Sequence, residues 1–171
     1  EFRRVLFRSI GLRTIKTSLS VFLCLVLLPN EPFFACLTCL FCIQDTLENS
    51  YNMAKNRCIG TIYGAIIGLI IMTIFKWMTI NVDSIFLRKL IIYISIAIGI
   101  IIVIHSNITF LKMPGAINVS CIAFLAITTT HAFGTPYYYA FNRIFETLCG
   151  IIISLIINKT IKPPKSKQIP R

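Results

Sequence analysis

Residues 58–75 (CIGTIYGAIIGLIIMTIF) decide the class of fold, because this run has no charged side chain. It is close to the roughly 20 apolar residues with which a helix crosses a bilayer. Lys76 and Trp77 follow at once, and both residue types anchor helix ends at the membrane–water interface. Other apolar blocks lie on both sides, separated by short polar segments. The chain is therefore predicted to be an all-α integral membrane protein.

The composition of the whole chain favours the same class. Of the 171 residues, 56% are hydrophobic and only 13% are charged, and the mean hydropathy is +0.81. A soluble domain carries roughly 25% charged residues. The net charge of +11 could suggest a nucleic-acid partner. The basic residues lie at the ends of the apolar blocks and in the tail, however, so we expect contacts with anionic lipid and no nucleic acid.

Three parts are expected along the chain. Residues 1–9 (EFRRVLFRS) translate a common sequencing adapter and have no initiator Met, so we interpret them as a scar outside the fold. Residues 10–160 are predicted to form one membrane domain, and residues 161–171 a basic cytoplasmic tail. The distribution of Lys and Arg predicts that both termini lie in the cytoplasm.

About six transmembrane helices are predicted in this domain. The apolar segments cover residues 14–28, 33–46, 58–75, 90–104, 116–130 and 136–158. Prolines and polar residues are expected to turn the chain at residues 29–32, 81–84, 105–107, 112–115 and 134–136. The first two segments are short for full spans, so they form either a tight hairpin or a re-entrant pair.

A sequence pattern occurs twice. Asn56-Arg57-x-x-x-Thr61-x-x-Gly64 begins the third segment, and Asn142-Arg143-x-x-x-Thr147-x-x-Gly150 lies in the sixth. The second copy lies three spans after the first, so the two helices would run in opposite directions. This predicts a 3+3 inverted repeat, an architecture that places a substrate path between its halves.

The charged residues of the pattern allow several interpretations. Arg and Thr at i and i+4 share a helix face, and Arg143 and Glu146 lie deep in an apolar segment, where charges usually face a bundle interior or a water-filled path. Arg143 could line such a path, pair with Glu146, or extend to the interface. Arg57, nearer a helix end, could line the path or anchor the helix. The predicted anion path comprises Arg57, Thr61, Arg143, Glu146 and Thr147.

Small residues and cysteines are interpreted as packing. Gly60, Gly64 and Gly68 form a stripe that lets another helix approach, and Gly150 is expected to do the same. The seven cysteines lie in apolar stretches, and the Cys36-x-x-Cys39-x-x-Cys42 run lacks the further Cys-Pro of an iron–sulfur motif. His105 and His131 have no zinc-ligand spacing. We expect no catalytic residue, metal or cofactor, and no enzymatic activity.

Together these motifs resemble the aromatic acid exporter family, part of the fusaric-acid-resistance-like superfamily that also includes the plant aluminium-activated malate transporters. The stretches that carry the resemblance are residues 11–17 (GLRTIKT), 32–35 (PFFA), 44–50 (QDTLENS), 55–68 (KNRCIGTIYGAIIG) and 142–150 (NRIFETLCG). Many relatives have Pro where this chain has Asp45, and many carry a cytoplasmic domain after the sixth helix.

The resemblance implies a six-helix domain of the bacterial plasma membrane that forms a homodimer. This dimer would export aromatic or other organic carboxylates. The basic pore residues of the relatives would correspond to Arg57 and Arg143. The alternative function is a membrane scaffold or assembly partner that transports nothing and is held together by its glycine stripe.

Overall fold

A computed structural model describes residues 11–28, 32–79, 84–130 and 136–161, and these residues contain helices and no strands. The scar at residues 1–9, nearly all of the tail, and the predicted turns at residues 29–31, 81–83 and 134–135 lie outside the described residues, as does His131.

Six α-helices lie within the described ranges, and they correspond one to one to the six predicted segments. They are α1 (Leu12–Leu27), α2 (Phe33–Cys42), α3 (Leu47–Met78), α4 (Ile85–Ser106), α5 (Ile117–Thr130) and α6 (Pro136–Thr160). A π-helical turn (Asn107–Leu111) continues α4, and a short 3-10 turn (Pro114–Ala116) precedes α5. Pro136 is the first residue of α6, as predicted, because its fixed φ suits the first helical position.

Three of these helices are long and apolar enough to cross a membrane: Leu47–Met78, Ile85–Leu111 and Tyr137–Thr160. The prediction of an all-helical chain is thus confirmed for the described residues, and the three helices support the prediction of a membrane protein. Helices α1, α2 and α5 are shorter, with 16, 10 and 14 residues. The count of six complete spans therefore stays a prediction.

Helix α3 begins well before its predicted start at Cys58, at Leu47. Thr46 precedes it, and the Thr46 side chain accepts a hydrogen bond from the Asn49 amide (3.2 Å) in the manner of an N-cap. Glu48 lies in the first turn, where a negative charge favours the helix dipole. The polar residues before Cys58 thus extend the helix beyond its apolar part.

The prediction of a turn at residues 105–107 is wrong. The helix continues through Ser106 and then through the π turn, because the polar side chains bond to carbonyls of the preceding turn: Ser106 Oγ donates to Ile102 O (2.5 Å) and Asn107 Nδ2 to Val103 O (2.8 Å). The chain turns instead at Lys112, whose φ of 50° is left-handed.

The chain divides into two compact units. Unit 1 comprises the described residues of Glu1–Asn52 and Cys149–Arg171, and unit 2 comprises those of Met53–Leu148. In unit 1, α1 and α2 form an antiparallel hairpin. The start of α1 contacts the end of α2, where Arg13 Nε donates to Ile43 O (3.0 Å), and farther along the pair Cys24 Sγ lies 3.3 Å from Cys39 Sγ.

In unit 2, α3 and α5 run parallel. Gly60 lies against Ala116, Gly64 against Ser120 and Gly68 against Ile127, so both residue numbers rise together. Phe124 of α5 is fully buried and lies against Gly99 of α4 and Gly68 of α3. A tightly packed three-helix contact results.

The first part of α6, which belongs to unit 2, runs antiparallel to α3. The Tyr137 hydroxyl hydrogen-bonds Thr73 Oγ1 (3.1 Å), while Ala140 packs near Ala65. The two helices that carry the repeated pattern therefore run in opposite directions.

Candidate functional site

The five residues of the predicted anion path all lie in unit 2, and all are buried. Their exposed fractions are 7% for Arg57, 4% for Thr61, 4% for Arg143, 3% for Glu146 and 4% for Thr147. Arg57 and Thr61 are on α3 and the other three on α6. Sequence spacing alone places each set on its own helix, and the fold brings both sets into the interior of one unit.

The burial of the two arginines has a direct consequence for their role. A guanidinium that extends to the lipid interface remains largely accessible, whereas Arg57 and Arg143 are almost fully covered by protein. Neither guanidinium therefore lies on an exposed face of unit 2. Arg143 also lies within electrostatic range of both Glu146 and Arg57. Two positive charges and one negative charge are thus grouped in an apolar part of the chain.

Asn142, the first residue of the second pattern, has a role that sequence reasoning missed. Its Nδ2 donates to Glu146 Oε1 at 2.7 Å, so one residue of the pattern orients the carboxylate one turn later. The signal was present in the sequence, because Asn142 and Glu146 are four residues apart and side chains at that spacing meet on a helix surface. Glu146 is therefore held in place by its own helix.

The two threonines of the pattern differ. Thr147 Oγ1 donates to the Arg143 carbonyl at 2.9 Å, so its proton is committed to its own helix. Thr61 forms no hydrogen bond with the described part of the chain, although its side chain is nearly as buried. The Thr147 hydroxyl is therefore bonded within its own helix, whereas the Thr61 hydroxyl is bonded to no described residue.

The two glycines of the pattern have similar surroundings in their respective units. A Cβ at Gly64 would collide with the backbone of Ser120 on α5, and one at Gly150 would lie 2.6 Å from Ala35 O on α2. The partner residues are alike as well. Ser120 Oγ donates to Ala116 O (3.0 Å) and Thr38 Oγ1 to Phe34 O (2.6 Å), each four residues back. Each glycine thus permits the close approach of another helix, which is α5 at Gly64 and α2 at Gly150.

One open groove of about 510 Å³ lies on unit 1, on the exposed face of α1. It is lined by Thr14, Ile15, Ser18, Leu19 and Phe22, and it contains none of the predicted path residues. Within the four described ranges, no three His, Cys, Asp or Glu side chains are grouped so that they could hold a metal ion.

Comparison with known proteins assigns the family. A sequence model described as fusaric acid resistance protein-like matches residues 19–157. UPF0421 protein SH1063 of Staphylococcus haemolyticus is 25% identical over 166 residues, which cover 93% of this chain and 45% of that protein. UPF0421 protein SSP0904 of Staphylococcus saprophyticus is 29% identical over 160 residues, covering 91% and 44%.

The chain thus spans a little under half the length of the curated relatives it matches. No solved structure matches it. The family match covers most of the chain and includes both copies of the repeated pattern, in agreement with the resemblance noted in the sequence. The chain therefore belongs to the fusaric acid resistance protein-like family.

Proposed function

We propose that this chain is the membrane part of a bacterial plasma-membrane transporter that moves organic carboxylates, aromatic acids among them, out of the cell. The observation that carries the proposal is the buried group of Arg57, Arg143 and Glu146 in unit 2. Family membership supports a transport role, and the charges indicate which class of solute would be moved.

The charge balance favours an anion. Burying an ion in an apolar environment costs several kcal/mol unless opposite charges compensate it. The two guanidiniums and one carboxylate of the group leave an excess of one positive charge. A monovalent carboxylate that enters would balance it, and Arg presents a planar fork of donors that suits a carboxylate.

The contacts around Gly64 and Gly150 support the inverted repeat. If the third helix corresponds to the sixth, the second must correspond to the fifth. Gly64 of α3 packs on α5, and Gly150 of α6 packs on α2. An inverted repeat requires this relation, because the third helix contacts the counterpart of the helix that the sixth contacts. We therefore retain six spans with both termini in the cytoplasm, and a homodimer, as parts of the proposal.

Export needs no further energy source under ordinary conditions. A monovalent anion that leaves a cell at about −100 mV gains about 2.3 kcal/mol, equivalent to a roughly fifty-fold concentration ratio. A path that accepts carboxylates and excludes cations would therefore suffice.

The test is efflux of a panel of hydroxybenzoates from cells that express the chain behind a new start Met. Arg143→Gln is compared with Lys89→Gln, which removes an exposed charge from the same unit, at matched membrane levels. We expect efflux by the wild type and by Lys89→Gln, and a loss of at least tenfold in Arg143→Gln.

The two threonines give a sharper comparison, because Val is nearly isosteric with Thr. A hydrogen bond to a charged group contributes about 1.5–3 kcal/mol, so Thr61→Val should raise the half-saturating concentration about tenfold or more. Thr147→Val should change it less than twofold, since that hydroxyl bonds its own helix. Equal efflux in Arg143→Gln and wild type would remove the basis of the proposal. No efflux of any acid by a well-expressed wild type would favour the scaffold function.

A further inference from the structure

Lys16 is a buried cation at the end of unit 1 where α1 begins and α6 ends. Its side chain is only 5% exposed. The Lys16 Nζ donates to Asn158 Oδ1 at 2.7 Å and lies 3.5 Å from the Asn158 carbonyl oxygen. No carboxylate contacts Lys16 in the described part of unit 1. The nearby Asp45 instead pairs with Arg13, at 3.9 Å. The groups that hold this buried ammonium in the described part of the chain are thus neutral.

Asn158 is itself held by the segment between α2 and α3 and by the first turn of α3. Its Nδ2 donates to Ser50 Oγ (2.6 Å) and to Gln44 O (3.3 Å). The Gln44 amide also donates to Ser50 Oγ, at 3.0 Å. The Ser50 side chain is fully buried. One residue each from α1, the α2–α3 segment, α3 and α6 therefore forms one connected polar group.

Donors outnumber acceptors in this group. The Lys16 ammonium has three protons and, among the described residues, only the two Asn158 oxygens as acceptors. The Ser50 oxygen accepts two hydrogen bonds, and its own proton has no acceptor among the described residues. One ammonium proton and one hydroxyl proton thus remain, together with a full positive charge. An oxygen anion would accept hydrogen bonds from both protons and balance the positive charge.

A purely structural role would have Lys16 cap α6, since cations near helix C-termini are stabilising. The distances do not favour that role. The bond to the Asn158 side chain is short at 2.7 Å, whereas the distance to the Asn158 backbone carbonyl, at 3.5 Å, is at the limit of a hydrogen bond. Asn158 therefore orients the ammonium more than the ammonium caps the helix.

We propose that Lys16 and Ser50 form a second carboxylate-binding site, distinct from the arginines of unit 2, with Asn158 as a positioning residue. In the topology proposed above, α1 begins and α6 ends on the cytoplasmic side. The site would then receive the anion before export, and this placement rests on the proposed function. Binding itself does not, because it requires only the geometry within unit 1.

The experiment measures thermal unfolding of the purified full chain in neutral detergent against benzoate concentration, with benzamide as the uncharged control at constant ionic strength. Arg143→Gln serves as the background, since it removes a charge from the other site. We expect benzoate, and not benzamide, to raise the midpoint in a saturable way. Adding Lys16→Gln should weaken this effect at least tenfold, and adding Ser50→Ala severalfold.

Arg13→Gln is the matched control, because it removes a positive charge one turn earlier on α1, where the side chain is about half exposed. It should leave the benzoate effect within twofold. A benzoate effect unchanged by both Lys16→Gln and Ser50→Ala would overturn the site, and so would stabilisation by phosphatidylglycerol with none by benzoate. If Lys16→Gln does not fold, Ser50→Ala decides the matter. Arg143→Gln could abolish efflux while Lys16→Gln leaves the benzoate effect on the unfolding midpoint unchanged. That result would leave the proposed function intact and refute only this inference.

Discussion

Replacing Gly64 with Ala should separate α3 from α5, because the added methyl group has no space. It would collide with the Ser120 carbonyl oxygen and lie 2.9 Å from both Ser120 C and Cα. All three are backbone atoms, which cannot move without shifting α5. Overpacking of this kind costs about 1–3 kcal/mol, and rigid backbone places it near the upper end. Ala gains about 1 kcal/mol over Gly in helix propensity, so we expect a net destabilisation of about 2 kcal/mol.

Gly68→Ala is the matched control, one turn later in the same stripe. Its nearest atom would be Ile127 Cβ at 3.5 Å, an ordinary contact, so only the gain in helix propensity of about 1 kcal/mol should remain. The two variants should therefore differ by about 3 kcal/mol in opposite directions. Reversible unfolding in mixed detergent micelles measures both. If Gly64→Ala proves as stable as Gly68→Ala, the parallel α3–α5 contact described here is incorrect.

Three further predictions concern unit 1. Copper-phenanthroline should join Cys24 and Cys39 within one chain, since their sulfurs are 3.3 Å apart; an unchanged intact mass after oxidation would contradict that pairing. Gly150→Ala should lower stability by about 1–3 kcal/mol, because its Cβ would lie 2.6 Å from a backbone oxygen of α2, and the same unfolding assay checks it. Asp45→Asn should change stability by less than about 1 kcal/mol, since its pair with Arg13 is exposed; a larger loss that persists in high salt would show that the pair is not merely superficial.

The helical class, the six helices of the described residues and the repeated pattern were readable from the sequence. Residues 58–75 are apolar at nearly every position, and such a run is stable as a helix in lipid whatever its neighbours are. The start of α3 and the end of α4 were misread for a local reason. Thr46 accepts a hydrogen bond at the start of a helix, whereas Ser106 and Asn107 donate to carbonyls of the preceding turn and the helix continues. Only the backbone geometry shows which of these two roles a polar side chain takes.

The partners of each helix face were decided by the tertiary structure alone. Sequence spacing puts Thr61 and Thr147 in equivalent positions, yet only Thr147 bonds its own helix. It gives no sign that Lys16 meets Asn158, since 142 residues separate them. It treats Gly64 and Gly68 alike, although α5 approaches the first much more closely. A periodic pattern determines which residues share a face because helix geometry is local, but which face meets which depends on contacts between residues far apart in the chain.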